Sequence, residues 1–432
     1  MNQLFTYIKR ISRVEFTFFW CCVLVQSLAW SKFTLSVSLW GLAVVSVFSL
    51  IYENKNELDK PLPNVFSLKN FQLKGTPQYF AHFWKNKALI ALTVPFLLVL
   101  GSGLWSENHV YWLERVRIKL PFLILPLAFA NLVPLSKKQF LTIFYVFLIA
   151  FSIFCARHLF FYYQHFEKVN QGLSQGIPIP TNWNHISFAT MAVFALLGGL
   201  ELWKENFYLK NKNERFLILG STAFLFVAIH ILSVRSAILA LYVCLFFKFL
   251  ELIFNQKRWK IGILSLILLT TVPSIAYRTI PSLRHRIDYA VWDFGQYQQG
   301  DLRQKSDSER ITSLKMGFQA FSQNPIFGVG YGDIMDKVGR QYTTAFPELT
   351  VREPHSFWLF SLAGTGIVGT LIFLSAFAVH WFAEKRYQIV LFSLLHILIL
   401  FTNTIDFVVE GTYGAVFYAF FVALFVSQKR EK

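Results

Sequence analysis

Three residues far apart in the chain, Arg235, Arg310 and His355, offer the clearest chemistry in this sequence. His355 stands in Arg352-Glu-Pro-His-Ser356, at the mouth of a long apolar run. Proline suits the first position of a helix, so the spacing predicts His355 in the first helical turn, where the dipole is positive. A positive helix end disfavours imidazolium and leaves a neutral ring able to accept a proton. An inert interfacial histidine is the plain alternative. Arg235 follows His230-Ile-Leu-Ser-Val, where two apolar runs meet almost without a loop. An arginine at membrane depth costs about 2.5–3.5 kcal/mol on insertion scales, and such residues tend to face a cavity. The alternative is a helix-end side chain that snorkels to the interface. Arg310 falls in the first turn of a predicted amphipathic helix, facing either inward or solvent. Arg115, Arg117 and Lys119 flank the start of another apolar run, and their positive charge there points to an anionic ligand.

Other constellations are weaker. Gly364-x-Gly366-x-x-Gly369 fits the dinucleotide-binding spacing. That function needs a strand before the glycines and a βαβ unit around them. Here they sit in an apolar helix expected to continue through Leu371 and Phe373, so close helix packing is the default. Asp307-x-Glu309 resembles the acidic pairs that hold a metal for sugar transfer. A capping box, Ser306-Asp-Ser-Glu309, accounts for the same residues. No Cys/His cluster has zinc spacing, and no Gly-x-Ser-x-Gly or phosphate-binding loop is present. Neither a metal nor a cofactor is expected. Cys21, Cys22, Cys155 and Cys244 all lie in apolar runs and read as buried small hydrophobes rather than a disulfide framework.

The elements that position these residues are read from composition. The 432 residues are 55% hydrophobic, 18% aromatic and 15% charged, against about 25% charged in soluble proteins. Apolar runs recur at membrane-crossing length. The fold class is therefore an all-α polytopic membrane protein. About twelve spans are expected, near 14–30, 34–51, 88–104, 118–135, 140–162, 186–203, 216–234, 237–255, 261–277, 356–382, 388–406 and 411–428. Alternate connections are basic: Lys9 to Arg13, the 52–87 loop, Lys137-Lys138, Lys204 to Arg215, Lys257 to Lys260, Lys385-Arg386 and Lys429 to Lys432. The positive-inside rule places these on the cytoplasmic side with both termini. It also explains the net charge of +17 without a nucleic-acid partner. No removable signal peptide is expected; the first apolar run directs insertion.

Three regions follow: a membrane bundle of spans one to nine (1–277), a large outer loop (278–354), and spans ten to twelve (355–432). Loops this long are usually functional. Within this one, residues 307–323 predict an amphipathic helix at the membrane–water boundary, with Ile311, Leu314, Phe318 and Phe321 as its apolar stripe. Asn324-Pro325 ends it, and Gly328, Gly330 and Gly332 follow. No internal repeat is visible, which weakens a transporter built from inverted repeats.

His355-Ser356, nine residues, Gly366, two residues and Gly369 resemble the H-[NSQ]-x9-G-x2-[GTY] pattern of the O-antigen ligase family. Arg235-Ser-Ala-Ile-Leu239 is similar to that family's R-x3-L motif, and residues 309–333 resemble its loop segment. The family also holds O-antigen polymerases and protein O-oligosaccharyltransferases. The resemblance implies a polyprenyl-diphosphate-linked glycan donor, a lipid A-core acceptor for the ligase, and a site on the outer face of a bacterial inner membrane among membrane lipids. It also implies that Arg235 and Arg310 bind the diphosphate and His355 activates the acceptor hydroxyl; Arg117 and Lys119, singled out above by their position alone, are expected as further diphosphate ligands.

The chemistry suits this inventory. A diphosphate already leaves well, so it needs its growing charge stabilised, which arginines do bidentately. The acceptor hydroxyl needs one general base. Paired carboxylates of the glycosidase kind are not required. A transporter or flippase that binds the lipid diphosphate without chemistry is the competing class.

Overall fold

The computed structural model describes residues 12–47, 76–254, 257–299 and 306–428. Lys9, Arg10, the lysines at 55, 60, 69 and 74, and the terminal Lys429 to Lys432 lie outside the described residues.

The chain is built from helices. In order they are α1 Arg13–Trp30, α2 Lys32–Val47, α3 Thr76–Trp84, α4 Lys87–Leu92, α5 Val94–Ser102, α6 His109–Lys119, α7 Pro121–Asn131, α8 Lys137–Gln164, α9 Phe166–Leu173 and α10 His185–Lys204. Then follow α11 Glu214–Leu232, α12 Arg235–Phe254, α13 Trp259–Thr279, α14 Pro281–Gln298, α15 Ser306–Gln323, α16 Ile334–Ala345, α17 Phe357–Phe382, α18 Val390–Ile405 and α19 Thr412–Ser427. Among the described residues six helices are long and apolar enough to cross a membrane: α8, α10, α11, α12, α13 and the run Phe357–Gln388. Lys32–Val47, Lys87–Ser102, Val390–Ile405 and Thr412–Ser427 are shorter apolar helices. The core is aromatic and central. α19 is buried almost throughout, and its Phe417 and Phe421 stack against Phe147 and Phe194 of α8 and α10.

The two ends of the bundle differ. At one end basic side chains tie connections together: Lys137 pairs with Glu205, Lys138 donates to the Leu209 carbonyl, and Arg386 donates to those of Phe425 and Val426. These are connections the sequence assigns to one side. The opposite connections converge on each other. Asp333 accepts from the N–H groups of Glu107 and Asn108, Lys119 reaches Val409 and Glu410, and Ser282 reaches Ile231.

The glycine motif does not continue one helix, as the sequence predicts. Gly366 takes φ +65°, ψ −167°, and breaks α17. The backbone groups freed by the break are taken up by the segment after α15. Val329 and Gly330 donate to the carbonyls of Ala363 and Gly364 at 2.8 and 3.0 Å. Ile367 and Val368 donate to those of Pro325 and Ile326 at 2.9 and 3.2 Å. A broken helix in a membrane is tolerated only where its backbone is resatisfied in this way. Gly328 also has positive φ, and a Cβ there would meet the backbone of Gly364 to Gly366. The glycines do serve packing, but against a loop rather than a second helix.

α15 also differs from expectation. Its buried face is Ser308, Thr312, Ser313, Met316 and Ala320, with Gly317 against Pro354. The predicted stripe lies to the other side, with Phe318 59% exposed. Small residues let α15 approach α17 closely; of the predicted stripe Phe318 faces outward, while Ile311, Leu314 and Phe321 are half-buried.

Candidate active site

The site assembles where α11 meets α12. α11 ends at Ser233, which adopts the left-handed conformation (φ 55°), and α12 starts two residues later at Arg235. The abrupt turn holds Arg235 at the bundle's end, 20% exposed. Its guanidinium grips Asp307 through two parallel bonds of 2.6 and 2.7 Å, the fork geometry that arginine also offers to a phosphate.

Asp307 opens α15. The N–H groups of Asp307 and Ser308, and the Ser308 hydroxyl, all donate to Asp293 of α14 at 2.6, 3.3 and 3.0 Å. Glu309 pairs with Arg352; the Ser306 side chain of the expected capping box lies outside the described residues. A carboxylate from the neighbouring helix thus serves the positive end of α15. With Asp307 on Arg235 and Glu309 on Arg352, the two acids do not converge on a common point. Among the described residues no three His, Cys, Asp or Glu side chains are grouped so as to hold a metal.

One turn into α15, Arg310 lies beside Asp406, 3.5 Å away at the end of α18. Arg235, Arg286 and Arg310 line one pocket together with His185, Pro178 and Ser233. Arg286 comes from α14 and is 7% exposed, and it donates to the Gly176 carbonyl. Burial, and then the charges of Arg235 and Arg310, bring its pKa down to about 10, with Asp307 opposing.

His355 lies beside this pocket but not in the first turn of α17. Ser356 is the N-cap and accepts from Leu359, so Pro354 and His355 both precede the helix. The dipole argument is therefore replaced by a local one. The imidazole Nδ1 is 2.9 Å from the Ser313 hydroxyl, which also accepts from the His355 backbone N–H at 3.2 Å. The Ser313 hydroxyl in turn donates its single proton to the Arg310 carbonyl at 2.8 Å. When that proton goes to the Arg310 carbonyl, Ser313 accepts from Nδ1–H, and in this tautomer Nε2 carries the lone pair. Burial, then the charges of Arg310 and Arg352, lower the His355 pKa to about 4. The ring is neutral at ordinary pH. It packs edge-on against Phe407, with centroids 5.6 Å apart.

Lys119 and Arg117 are not brought to this pocket. Lys119 is buried, paired with Glu410 at 2.7 Å and bonded to the Val409 carbonyl at 2.9 Å. Arg115, on the same face of α6, pairs with Glu353 at 2.8 Å and lies 3.9 Å from Glu410. Arg117 is exposed on the opposite face. The positive charge noted near α6 is thus largely an internal ion-pair network.

Sequence reading missed Arg286, Ser313 and Asp406. The signal for Arg286 was present: Leu283, Arg286, Tyr289 and Asp293 are all buried and recur at helical spacing, so a stripe containing two charged residues was legible. Ser313 was hidden on the face opposite the obvious apolar stripe. Asp406 and Glu410 were acids in a short outer connection, an unusual depth for carboxylates.

Residues 220–374 match the family model described as O-Antigen ligase. That stretch contains Arg235, Arg286, Arg310, Ser313 and His355, while Asp406 lies beyond it. No curated protein matches the chain.

Proposed function

Through residues 220–374 the chain belongs to the O-antigen ligase family, and on that premise we propose that it transfers a polyprenyl-diphosphate-linked glycan to a lipid A-core acceptor. The observation that carries this reading is a histidine with a free Nε2 next to a three-arginine pocket. In this scheme the donor diphosphate lies among Arg235, Arg286 and Arg310. The acceptor hydroxyl sits at Nε2 of His355, which removes its proton as the oxygen attacks the anomeric carbon. The new C–O bond forms as the bond to the diphosphate oxygen breaks, and polyprenyl diphosphate leaves with the electron pair from the opposite face. One displacement inverts the anomeric centre. The arginines stabilise charge that grows on the leaving group. Diphosphate binding offsets the charge of Arg310 and raises the His355 pKa toward the range useful for a base.

The twelve-span topology, with both termini cytoplasmic and the site on the periplasmic face, fits the alternation of basic connections. The apolar outer face of α15 suits a helix that borders lipid. No metal takes part in the scheme; transfer that persists in EDTA supports this, and loss in EDTA counts against it.

The test is transfer by purified protein from lipid-linked donor to lipid A-core. His355→Gln should lose on the order of 10²–10⁴-fold in kcat. Undiminished transfer by the variant excludes His355 as the base, and no transfer by the wild type favours a transporter. In cells, deletion separates ligase from polymerase: a ligase mutant loses all capping, whereas a polymerase mutant still adds one repeat.

A further inference from the structure

A second cavity lies across the Arg310–Asp406 pair from the arginine pocket. It encloses about 140 Å³, where a single water needs about 10–15 Å³. It is lined by the Trp183–Tyr413 pair, Phe407, Asn184, Ser187 and Thr412, with Asp406 and Lys32 at its polar margin. Trp183 and Tyr413 stack face to face, 4.0 Å apart and 7° from parallel. The stack fixes both rings before any ligand arrives, so little rotamer freedom remains to be lost on binding. The Trp183 indole N–H is buried without a hydrogen-bond partner among the described residues.

This lining sorts between ligand classes. A polyprenyl chain brings no polar atoms, and Lys32, Asn184, Ser187 and Asp406 would then be desolvated without compensation. A diphosphate would meet the Asp406 carboxylate and a single lysine, while three arginines wait in the adjacent pocket. A sugar ring satisfies both halves of the lining. Its C–H faces suit the negative faces of aromatic rings, and its hydroxyls suit amide, hydroxyl and carboxylate groups.

Position then decides which sugar. Asn184 and Ser187 line this cavity, while the intervening His185 and Ile186 line the arginine pocket. Phe407 lines the cavity and also packs on His355. Phe407 thus joins the two, and the cavity lies one side chain from the base. We propose that the Trp183–Tyr413 cavity is the acceptor saccharide subsite, which orients a terminal sugar of the acceptor so that its hydroxyl meets His355. The proposal rests on the reading that His355 serves the acceptor.

Two measurements on the full-length protein in detergent test it. In the transfer assay Trp183→Ala should raise the acceptor KM about tenfold and lower kcat as the acceptor hydroxyl loses its orientation, leaving the donor KM unchanged, while Trp183→Phe keeps most of the affinity. An unchanged acceptor KM overturns the proposal. A rise confined to the donor KM also overturns it, by assigning the cavity to donor glycan. Saturation-transfer NMR with free core oligosaccharide reads binding without turnover. Wild-type protein should give a signal that Trp183→Ala loses and Trp183→Phe retains, and no wild-type signal overturns the subsite. Binding that depends on Trp183 without any transfer would leave the subsite standing and remove the transferase reading instead.

Discussion

Two clusters of cations sit at the same end of the molecule and are built on opposite plans. Around α6, Arg115 and Lys119 face Glu353 and Glu410, two charges against two. Lys119 and Glu410 are each 1% exposed. Around α15, three arginines line one pocket, with Asp307 paired to Arg235 and Asp406 beside Arg310 outside its lining, and the Arg235 and Arg310 side chains remain 20% and 24% exposed. The first cluster is nearly dry and matched, which suits bracing the 353–356 and 408–410 segments on either side of His355. The second keeps two of its arginines partly exposed and reachable. A cation near a site is thus informative mainly through what already occupies its donors.

The contrast can be broken experimentally, and the largest effect belongs to the dry cluster. Lys119→Met strands the buried Glu410 carboxylate and should cost about 3–5 kcal/mol, read as faster thermal inactivation in detergent. Lys119→Met with Glu410→Gln should recover most of it. A Lys119→Met protein of normal stability but impaired donor binding would instead move Lys119 into the donor site. Next comes Arg310→Gln, expected to lower kcat by roughly 10²–10³-fold, the loss typical of removing one charge-stabilising donor, with a smaller stability loss than Lys119→Met because Asp406 keeps the Phe407 N–H. The same substitution should act on pH dependence. Transfer requires neutral His355, so kcat/KM should hold level down the pH scale and fall only near the ring's pKa of about 4. Removing the Arg310 charge raises that pKa, and the acid limb should move toward the ordinary 6.5. A wild-type limb already at 6.5 would contradict the burial and charges seen around the ring.

Smaller effects probe the supports. Ser313→Ala frees the Nδ1 proton from its acceptor, a loss of about 0.5–1.5 kcal/mol or roughly 2–10-fold in kcat. A donor KM effect without a kcat effect would argue against tautomer control. Asp307→Asn weakens the half-exposed competitor for the Arg235 fork. Such pairs are worth about 0–1 kcal/mol, so the donor KM should fall by no more than about fivefold; a rise would make Asp307 part of the donor site.

Much of this architecture was readable because membrane spans impose long apolar runs. α8, α10, α12 and α17 fall where hydropathy puts them. Arg235, Arg310 and His355 were readable as charges in places that disfavour charge. What escaped depends on pairing across long separations. Nothing local says that Lys119 is neutralised by Glu410, or that Asp293 caps α15. Pro354 offered a valid helix start for His355, yet Ser356 won because its hydroxyl can accept from Leu359, and the first turn moved three residues on. The break at Gly366 was invisible for a similar reason: a glycine inside an apolar run reads as helix until a distant loop supplies replacement hydrogen bonds.

That break has a consequence for how the protein is made. α17 cannot satisfy its own backbone at Gly366, and the strip that completes it, residues 325–330, comes earlier in the chain. In the proposed topology the outer loop crosses the membrane before α17 is inserted, so the partner for the interrupted span is waiting on the correct side. Insertion of this span and folding of the loop become a single event. A chain whose loop stays behind would leave its last third with a helix that the bilayer rejects.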